Sequence, residues 1–483
     1  MNQAACFPPI HDPVKKLRQF SLPVKHPWET FTHIVKGFIV LCLLSSISIV
    51  LYTTFIPKTH WHHFPNPSTP NSRFDPEPTN ISHILFGIGG SVATWRDRSH
   101  YSSLWWSPNQ TRGYVWLDDN NPPAGKQQQE EEGSSSSTNV PPVRVSSPEW
   151  TRFRYSSSRS AVRIARIISD SFKESQRQAA KGMKENNSGA IRWFVMGDDD
   201  TVFYTHNLVS VLAKYDHTQM WYVGGNSESV EQDVMHAYDM AFGGGGFAVS
   251  YPLAERLVAV LDGCLDRYFF FYGSDQRIWA CIAEIGVQLT REPGFHQFDI
   301  RGNPYGILSA HPPAPLVSLH HLDYLDPLFP NQNRTESLKS LNTAYQMDPG
   351  RILQQTFFHD HTRKWTISVA WGYSVQLYPT LVHAMELRMP LQTFKTWRSW
   401  SNGPFTFNTR PGGPDPCILP VVFMLERAEE LGQRGTRTIY SRVATKPQDT
   451  CNRTDYARAM SVQRITVSSL KLDPDYWIKV STT

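Results

Sequence analysis

The sequence predicts an α/β layered domain, and three observations carry that expectation. Short apolar runs that read as strands alternate with segments whose apolar residues recur at helical spacing. Glycine-rich turns close several strand candidates, as at Gly87-Ile88-Gly89-Gly90 and Gly224-Gly225. Hydrophobic residues make up 40% of the 483 positions, with 15 Trp, 19 Tyr and 26 Phe, which suits a sizeable core and excludes a disordered chain. The 29 Gly and 35 Pro exclude a long coiled coil. Forty-seven basic and 43 acidic residues leave a charge of +4, so no basic stripe marks a nucleic-acid binder, and no nucleic-acid partner is expected. Many Trp suit sugar stacking, but most are expected in the core, Trp105 and Trp106 among them.

The elements follow in order. Ile84-Leu85-Phe86 enters the first glycine turn as a strand, and Tyr114-Val115-Trp116-Leu117 is a second strand. Ala161, Ile164, Ala165 and Ile168 place a helix near 160–172. Ile191 to Met196 reads as a buried strand, Leu208 to Leu212 as a helix, and Trp221-Tyr222-Val223 as another strand. Pro252 suits the first turn of a helix that ends before Gly263. Ser274 caps a helix over 275–284, with Gly286 past its end.

Residues 37–56 form an uncharged run preceded by Lys15, Lys16, Arg18, Lys25 and Lys36. This reads as a single transmembrane signal-anchor with a cytosolic tail over 1–36 and the remainder in a lumen. The membrane is thus an expected partner through one N-terminal helix. Six prolines between Pro57 and Pro78 mark a stem over 57–80. The folded domain is expected over 81–331, with a polar, disordered insert at 120–148. Residues 332–483 form a β-rich extension that can bind acceptor, cover a sheet edge or join two copies as a homodimer. Sequons at Asn80, Asn109, Asn186, Asn333 and Asn452 agree with a luminal side. Four Cys on that side allow three pairings; proximity in sequence favours Cys264–Cys281 and Cys417–Cys451.

The chemistry concentrates at Met196-Gly197-Asp198-Asp199-Asp200-Thr201-Val202. Three carboxylates at the end of an apolar strand repel one another unless a cation neutralises them. Oxygen ligands suit a hard ion, Mn²⁺ or Mg²⁺, with open positions for substrate phosphates. Asp198, Asp200 and Val202 also fit the D-x-D-x-[TV] pattern of haloacid-dehalogenase-type phosphohydrolases, with Asp198 as nucleophile. A non-catalytic, lectin-like module that kept the fold is a third reading. Downstream come the glycine run Gly243-Gly244-Gly245-Gly246, then Tyr272-Gly273-Ser274-Asp275, then Ser318-Leu319-His320-His321.

That order resembles the Fringe-related β1,3-glycosyltransferases, glycosyltransferase family 31. It looks closest to a plant branch with a long C-terminal extension of unassigned function. The resemblance covers about 81–330. It implies a GT-A-type nucleotide-sugar transferase domain, a mixed sheet with helices on both faces. It implies a metal held by Asp200, Asp198 and His320, with His321 a near-equal alternative to His320. Asp275 matches the catalytic base. Asp198, Asp199, Gly87, Gly89, Arg96, Gly244 and Gly245 would line the cofactor and donor site. The implied activity is inverting transfer of a hexose or N-acetylhexosamine from a UDP-sugar to a glycan or glycoprotein hydroxyl, in the Golgi lumen.

Overall fold

Alternation within two central strands sets the layering. Ile84, Phe86 and Ile88 of β1 (Ile84–Gly89) join Trp193 and Val195 of the strand Trp193–Asp198 in one core, while Leu85, Phe194 and Met196 join a second. Both faces of these strands are therefore apolar, as expected of strands covered on both sides. The computed structural model describes residues 31, 33, 35–46, 77–119, 139–156, 158–180, 190–412, 415–444 and 451–480. They fall into two compact units, 1–76 and 77–483.

In the second unit a seven-stranded mixed sheet uses β1, β2 (Arg112–Leu117), β3 (Val143–Val145) and β4 (Trp193–Asp198). A two-residue strand, β5 (Val202–Phe203), lies outside it. The sheet continues with β6 (Tyr222–Gly224), β7 (Phe247–Ser250) and β8 (Leu289–Arg291), in the order β3-β2-β1-β4-β7-β6-β8. β7 runs antiparallel to both neighbours, whereas β1 is parallel to β2 and to β4. Helices Arg159–Ala180, Tyr251–Arg267 and Ser274–Ile285 cover one face. Helices Val92–Ser102, Thr205–Leu212 and Arg334–Met347 cover the other.

The structure corrects the N-terminal expectation. Among the described residues no helix is long and apolar enough to cross a membrane. The described helical stretch ends at residue 46. Residues 47–56 of the expected span lie outside the described residues, as do residues 57–76 of the expected stem.

Other boundaries move for local reasons. Residues 120–138 of the expected insert lie outside the described residues, but Val143–Val145 forms β3 beside β2. The helix from Tyr251 runs through Gly263 to Arg267, because Cys264 and Leu265 beyond it are fully buried. Tertiary burial overrides the helix-ending tendency of glycine there. The next helix begins at Ser274 with Gly273 as its N-cap and ends at Gly286, whose φ of +90° suits glycine.

The C-terminal region supplies a six-stranded antiparallel sheet with a small core of its own. In chain order come β9 (Phe295–His296), β10 (Ile300–Gly302) and β11 (Ser318–Leu319), then β12 (Gln355–Asp360), β13 (Trp365–Ala370), β14 (Ser374–Tyr378) and β15 (Phe394–Thr396). They are followed by β16 (Val421–Leu431), β17 (Gly435–Arg442) and β18 (Arg464–Leu470). The sheet order is β12-β13-β14-β16-β17-β18, while β15 pairs with β10. Trp371, Tyr373 and Met424 share one core with Trp193 and Phe203, so the region near residue 332 is not a core boundary.

Two disulfides join Cys264 to Cys281 and Cys417 to Cys451, the pairings favoured by sequence. The first ties helix Tyr251–Arg267 to helix Ser274–Ile285, across a separation of 17 residues. Replacing both cysteines, Cys264→Ser with Cys281→Ser, is expected to cost about 3 kcal/mol. Urea denaturation of the oxidised chain checks this; an unchanged midpoint would contradict it.

Candidate active site

The strand order places a site before any side chain is considered. β1 leads through helix Val92–Ser102 on one face to β2, and helix Arg159–Ala180 returns on the other face to β4. The connections therefore diverge between β1 and β4, and ligands bind α/β sheets outside the carboxyl ends of strands at such a switch point. Gly89 of β1 pairs with Asp198 of β4 at that end. Arg163, buried beneath it, donates to the carbonyls of Gly90 at 2.6 Å and Trp116 at 3.1 Å, fixing the ends of β1 and β2.

Asp198, Asp200 and His320 converge there, each offering a ligand atom within 4.8 Å of the others. His320 Nε2 lies 3.1 Å from Asp200 Oδ1 and 3.9 Å from Asp198 Oδ2. β11 delivers His320 because it pairs with β5, which follows the acidic turn directly. Arg98 Nη1 meets both Asp199 Oδ1 and Asp200 Oδ2 at 3.2 Å. Thr94 donates its hydroxyl to Asp199. Arg98 also pairs with Asp323, which accepts the Tyr101 hydroxyl at 2.6 Å.

The electrostatics divide the three aspartates. Burial pushes the Asp198 carboxyl up to about 7, against the pull of His320; Asp200, Asp275 and Asp199 add to the rise. Its side chain keeps 38% exposure, so solvent tempers that rise. Burial also raises Asp199. At Asp200, burial works upward too, but His320 and Arg98 hold the carboxyl well below the usual range. Burial disfavours the His320 imidazolium, yet Asp200, Asp198 and Asp299 outweigh it and raise its pKa to about 9. Both Asp200 carboxylate oxygens are buried without a hydrogen bond of good geometry. A buried carboxylate beside an imidazole and a second carboxylate fits a divalent cation once the imidazole gives up its proton, and the carboxylate oxygens suit Mn²⁺ or Mg²⁺.

The glycine run explains how His320 fits. A Cβ on Gly244 would stand 2.0 Å from His320 Cε1, so no other residue leaves the ring in place. Gly246 adopts φ +86°. The Gly244 carbonyl accepts Thr201 Oγ1 at 2.7 Å, and Thr201 Oγ1 accepts the Asp198 N–H at 2.8 Å, which locks the run to the acidic turn. Gly245 N–H donates to Gln297 Oε1 at 2.7 Å. Gly243 N–H donates to Asp275 Oδ2 at 3.0 Å, and the Ser274 hydroxyl donates to Asp275 Oδ1 at 2.7 Å. Asp198 and Asp275 thus line one cleft with Gly87, Met196, Gly197, Gly243 and Ser274.

The structure brings together Asp198, Asp199, Asp200, His320, Asp275, Gly87, Gly89, Gly244 and Gly245. Arg96 lies exposed on its helix, and Arg98, one turn-face away, is the arginine that meets the cluster. His321 faces Asp299 at 2.9 Å and takes no part in the three-residue cluster. Thr94, Asp323 and Gln297 carry no sequence signal, since their roles come from contacts across long separations.

The family described as Fringe-like matches residues 149–301, which include Asp198, Asp200 and Asp275. A second, described as "Protein of unknown function, DUF604", matches residues 232–483, over half the chain, and includes His320. The chain belongs to this family and, through the overlapping match, to the Fringe-related glycosyltransferases. No curated protein matches the chain. The site draws residues from both matched segments.

Gly244→Ala is expected to displace His320 and weaken Mn²⁺ binding roughly 10–100-fold. Gly245→Ala, whose Cβ meets nothing closer than 3.3 Å, is expected to change it far less. Electron paramagnetic resonance titration with Mn²⁺ distinguishes them; equal affinities would contradict the packing argument.

A second buried group gives a pH signature. Burial and Asp299 push the Glu228 carboxyl up to about 8, and burial pushes its partner His296 down to about 4. The two lie 2.9 Å apart as a neutral pair. Folded Glu228 therefore holds a proton that the unfolded chain releases near the ordinary value of 4.5. Its stabilising contribution is full below that value and is lost as pH rises toward 8. Glu228→Gln keeps a neutral partner, so the variant should lose less stability than the parent between about pH 5 and pH 8. Thermal melts across that range check the sign.

Proposed function

We propose that this protein is an inverting, metal-dependent glycosyltransferase that moves a hexose or N-acetylhexosamine from a UDP-sugar to a glycan or glycoprotein hydroxyl, forming a β1,3 bond. The observation that carries this reading is the shared cleft. Asp198, one member of a metal-type triad with Asp200 and His320, lines it together with the separate, hydrogen-bonded carboxylate of Asp275. Asp198, Asp200 and His320 would hold Mn²⁺, or Mg²⁺. When bound, the ion neutralises charge on the departing diphosphate.

The chain's own residues divide the remaining work. Asp275 is fixed by Gly243 N–H and the Ser274 hydroxyl, with lone pairs left to take the acceptor's proton. Arg98 holds Asp199 and Asp200 in place and adds positive charge on the diphosphate side. Gly87 and Gly89 keep the β1 end close to β4, since a Cβ on Gly87 would strike Met196 at 2.6 Å. The disulfides support an oxidising compartment, and the Golgi lumen agrees with the family.

UDP release from UDP-sugars with Mn²⁺ and acceptor tests the reading. EDTA and Asp200→Asn should each abolish turnover, and Asp275→Asn should lower kcat roughly 10²–10⁴-fold. Full activity in either variant would remove the assigned role. No release from any common UDP-sugar would overturn the function.

A further inference from the structure

The segment from Phe394 to Phe407 belongs to the C-terminal region, yet it runs back beside the acidic cluster. β15 pairs with β10, and Phe405 bridges to Ser229. Between these anchors Trp397 stacks on the His321 ring, with centroids 4.6 Å apart and planes 7° from parallel. His321 in turn lies 4.0 Å from the ring of His320. The Arg301 guanidinium extends the stack, 4.4 Å from the Trp397 ring and 5.2 Å from that of Trp400. Its Nε donates to the Trp397 carbonyl at 2.9 Å.

Trp400 differs from its neighbours in this stack. It is 56% exposed, and its φ of +53° is a conformation that bulky residues adopt only at a cost. The loop nevertheless holds it there. Thr396 N–H donates to the Ser401 carbonyl at 2.9 Å, and Ser401 N–H donates to Thr396 Oγ1 at 3.0 Å. Ser399 donates its hydroxyl to Glu231. A preorganised loop that presents an indole face to water beside a buried site loses little entropy when a ligand covers that face.

The surface around Trp400 leads toward the Asp275 wall. Arg398 Nη1 lies 2.6 Å from the Met235 sulfur, at the end of helix Val230–Met235. The next residue, His236, accepts Gln276 Nε2 on its carbonyl at 3.4 Å, and its ring lies 6.3 Å from that of Tyr272. Tyr272 is 67% exposed, three residues before Asp275. On the transferase reading the nucleotide would lie elsewhere, where Gly90, Asp118 and Arg98 gather near helix Val92–Ser102.

We propose that Trp400 is the saccharide platform of the acceptor, a contribution of the C-terminal region to the catalytic domain's site. A pyranose has an apolar C–H face and a hydroxyl rim. The indole face matches the first, and Arg301, Arg398 and Glu231 offer charged partners to the second. That the saccharide is an acceptor rests on the transferase reading; that it binds on Trp400 does not.

Two measurements on the full-length chain separate the claims. In EDTA, the chain is applied to a printed array of neutral oligosaccharides. Saccharide binding is expected for the parent, roughly tenfold weaker binding for Trp400→Ala, and near-parental binding for Trp400→Phe. Phe358→Ala, an exposed aromatic on β12, serves as the control and should bind as the parent does. Equal binding by the parent and Trp400→Ala, or no binding by the parent, would overturn the platform. In the transfer assay, Trp400→Ala should raise the acceptor KM roughly tenfold while the UDP-sugar KM stays within about twofold. An unchanged acceptor KM, or transfer confined to unglycosylated polypeptide, would also overturn it. Array binding without transfer by the parent would uphold the platform and reject the transferase reading.

Discussion

The Asp200–His320 ion pair is the contact on which the site depends. Its two members arrive from β4's end and from β11, and both are almost wholly buried. Burying charge is costly unless each charge is paired, and the removal of one partner leaves the other uncompensated. Arg98 supplies a third charge, and its own third contact, Asp323, is held by Tyr101. The cluster is thus balanced by cationic groups on two sides, with Asp198 left partly open to the cleft. Gly244 is the steric condition for this arrangement, since any side chain there would occupy the space of the imidazole.

The larger architecture serves that contact. The divergence of connections between β1 and β4 opens the crevice, and Arg163 ties the strand ends that form its floor. β5 and β11 form a small sheet with β9 that carries His320 to the acidic turn. Helix Ser274–Ile285 carries Asp275 to the cleft that Asp198 also lines, and the Cys264–Cys281 disulfide fixes that helix to its neighbour. The C-terminal region is continuous with the core and reaches the site through Trp397. It is therefore a structural part of the catalytic unit.

Much of the site was legible in the sequence because its residues are clustered or punctuated by glycine. Three consecutive aspartates after an apolar strand, four consecutive glycines and an aspartate behind Gly273 each mark a backbone feature as well as a chemical one. His320 was legible only through family resemblance, because nothing local separates it from His321. The structure separates them through the αL backbone at His321, with φ +61°, which turns that ring toward Asp299. Arg98 could be picked out with Arg96 as a residue near the first glycine turn, but Thr94 and Asp323 were illegible, since the contacts that join them to Asp199 and Arg98 span 105 and 225 positions. The extension hid its contribution for the same reason: Trp397 acquires meaning only when β15 pairs with β10. The N-terminal expectation was not met: among the described residues no helix is long and apolar enough to cross a membrane.

The central claim is that Asp198, Asp200 and His320 form one divalent-metal site beside a nucleoside diphosphate. Crystals grown with Mn²⁺ and UDP, measured for anomalous scattering at the manganese edge, test it most directly. The account predicts one strong peak within bonding distance of Asp200 and His320, with diphosphate oxygens completing the coordination. A peak elsewhere, or none while UDP is bound at the β1–β4 crevice, would contradict it.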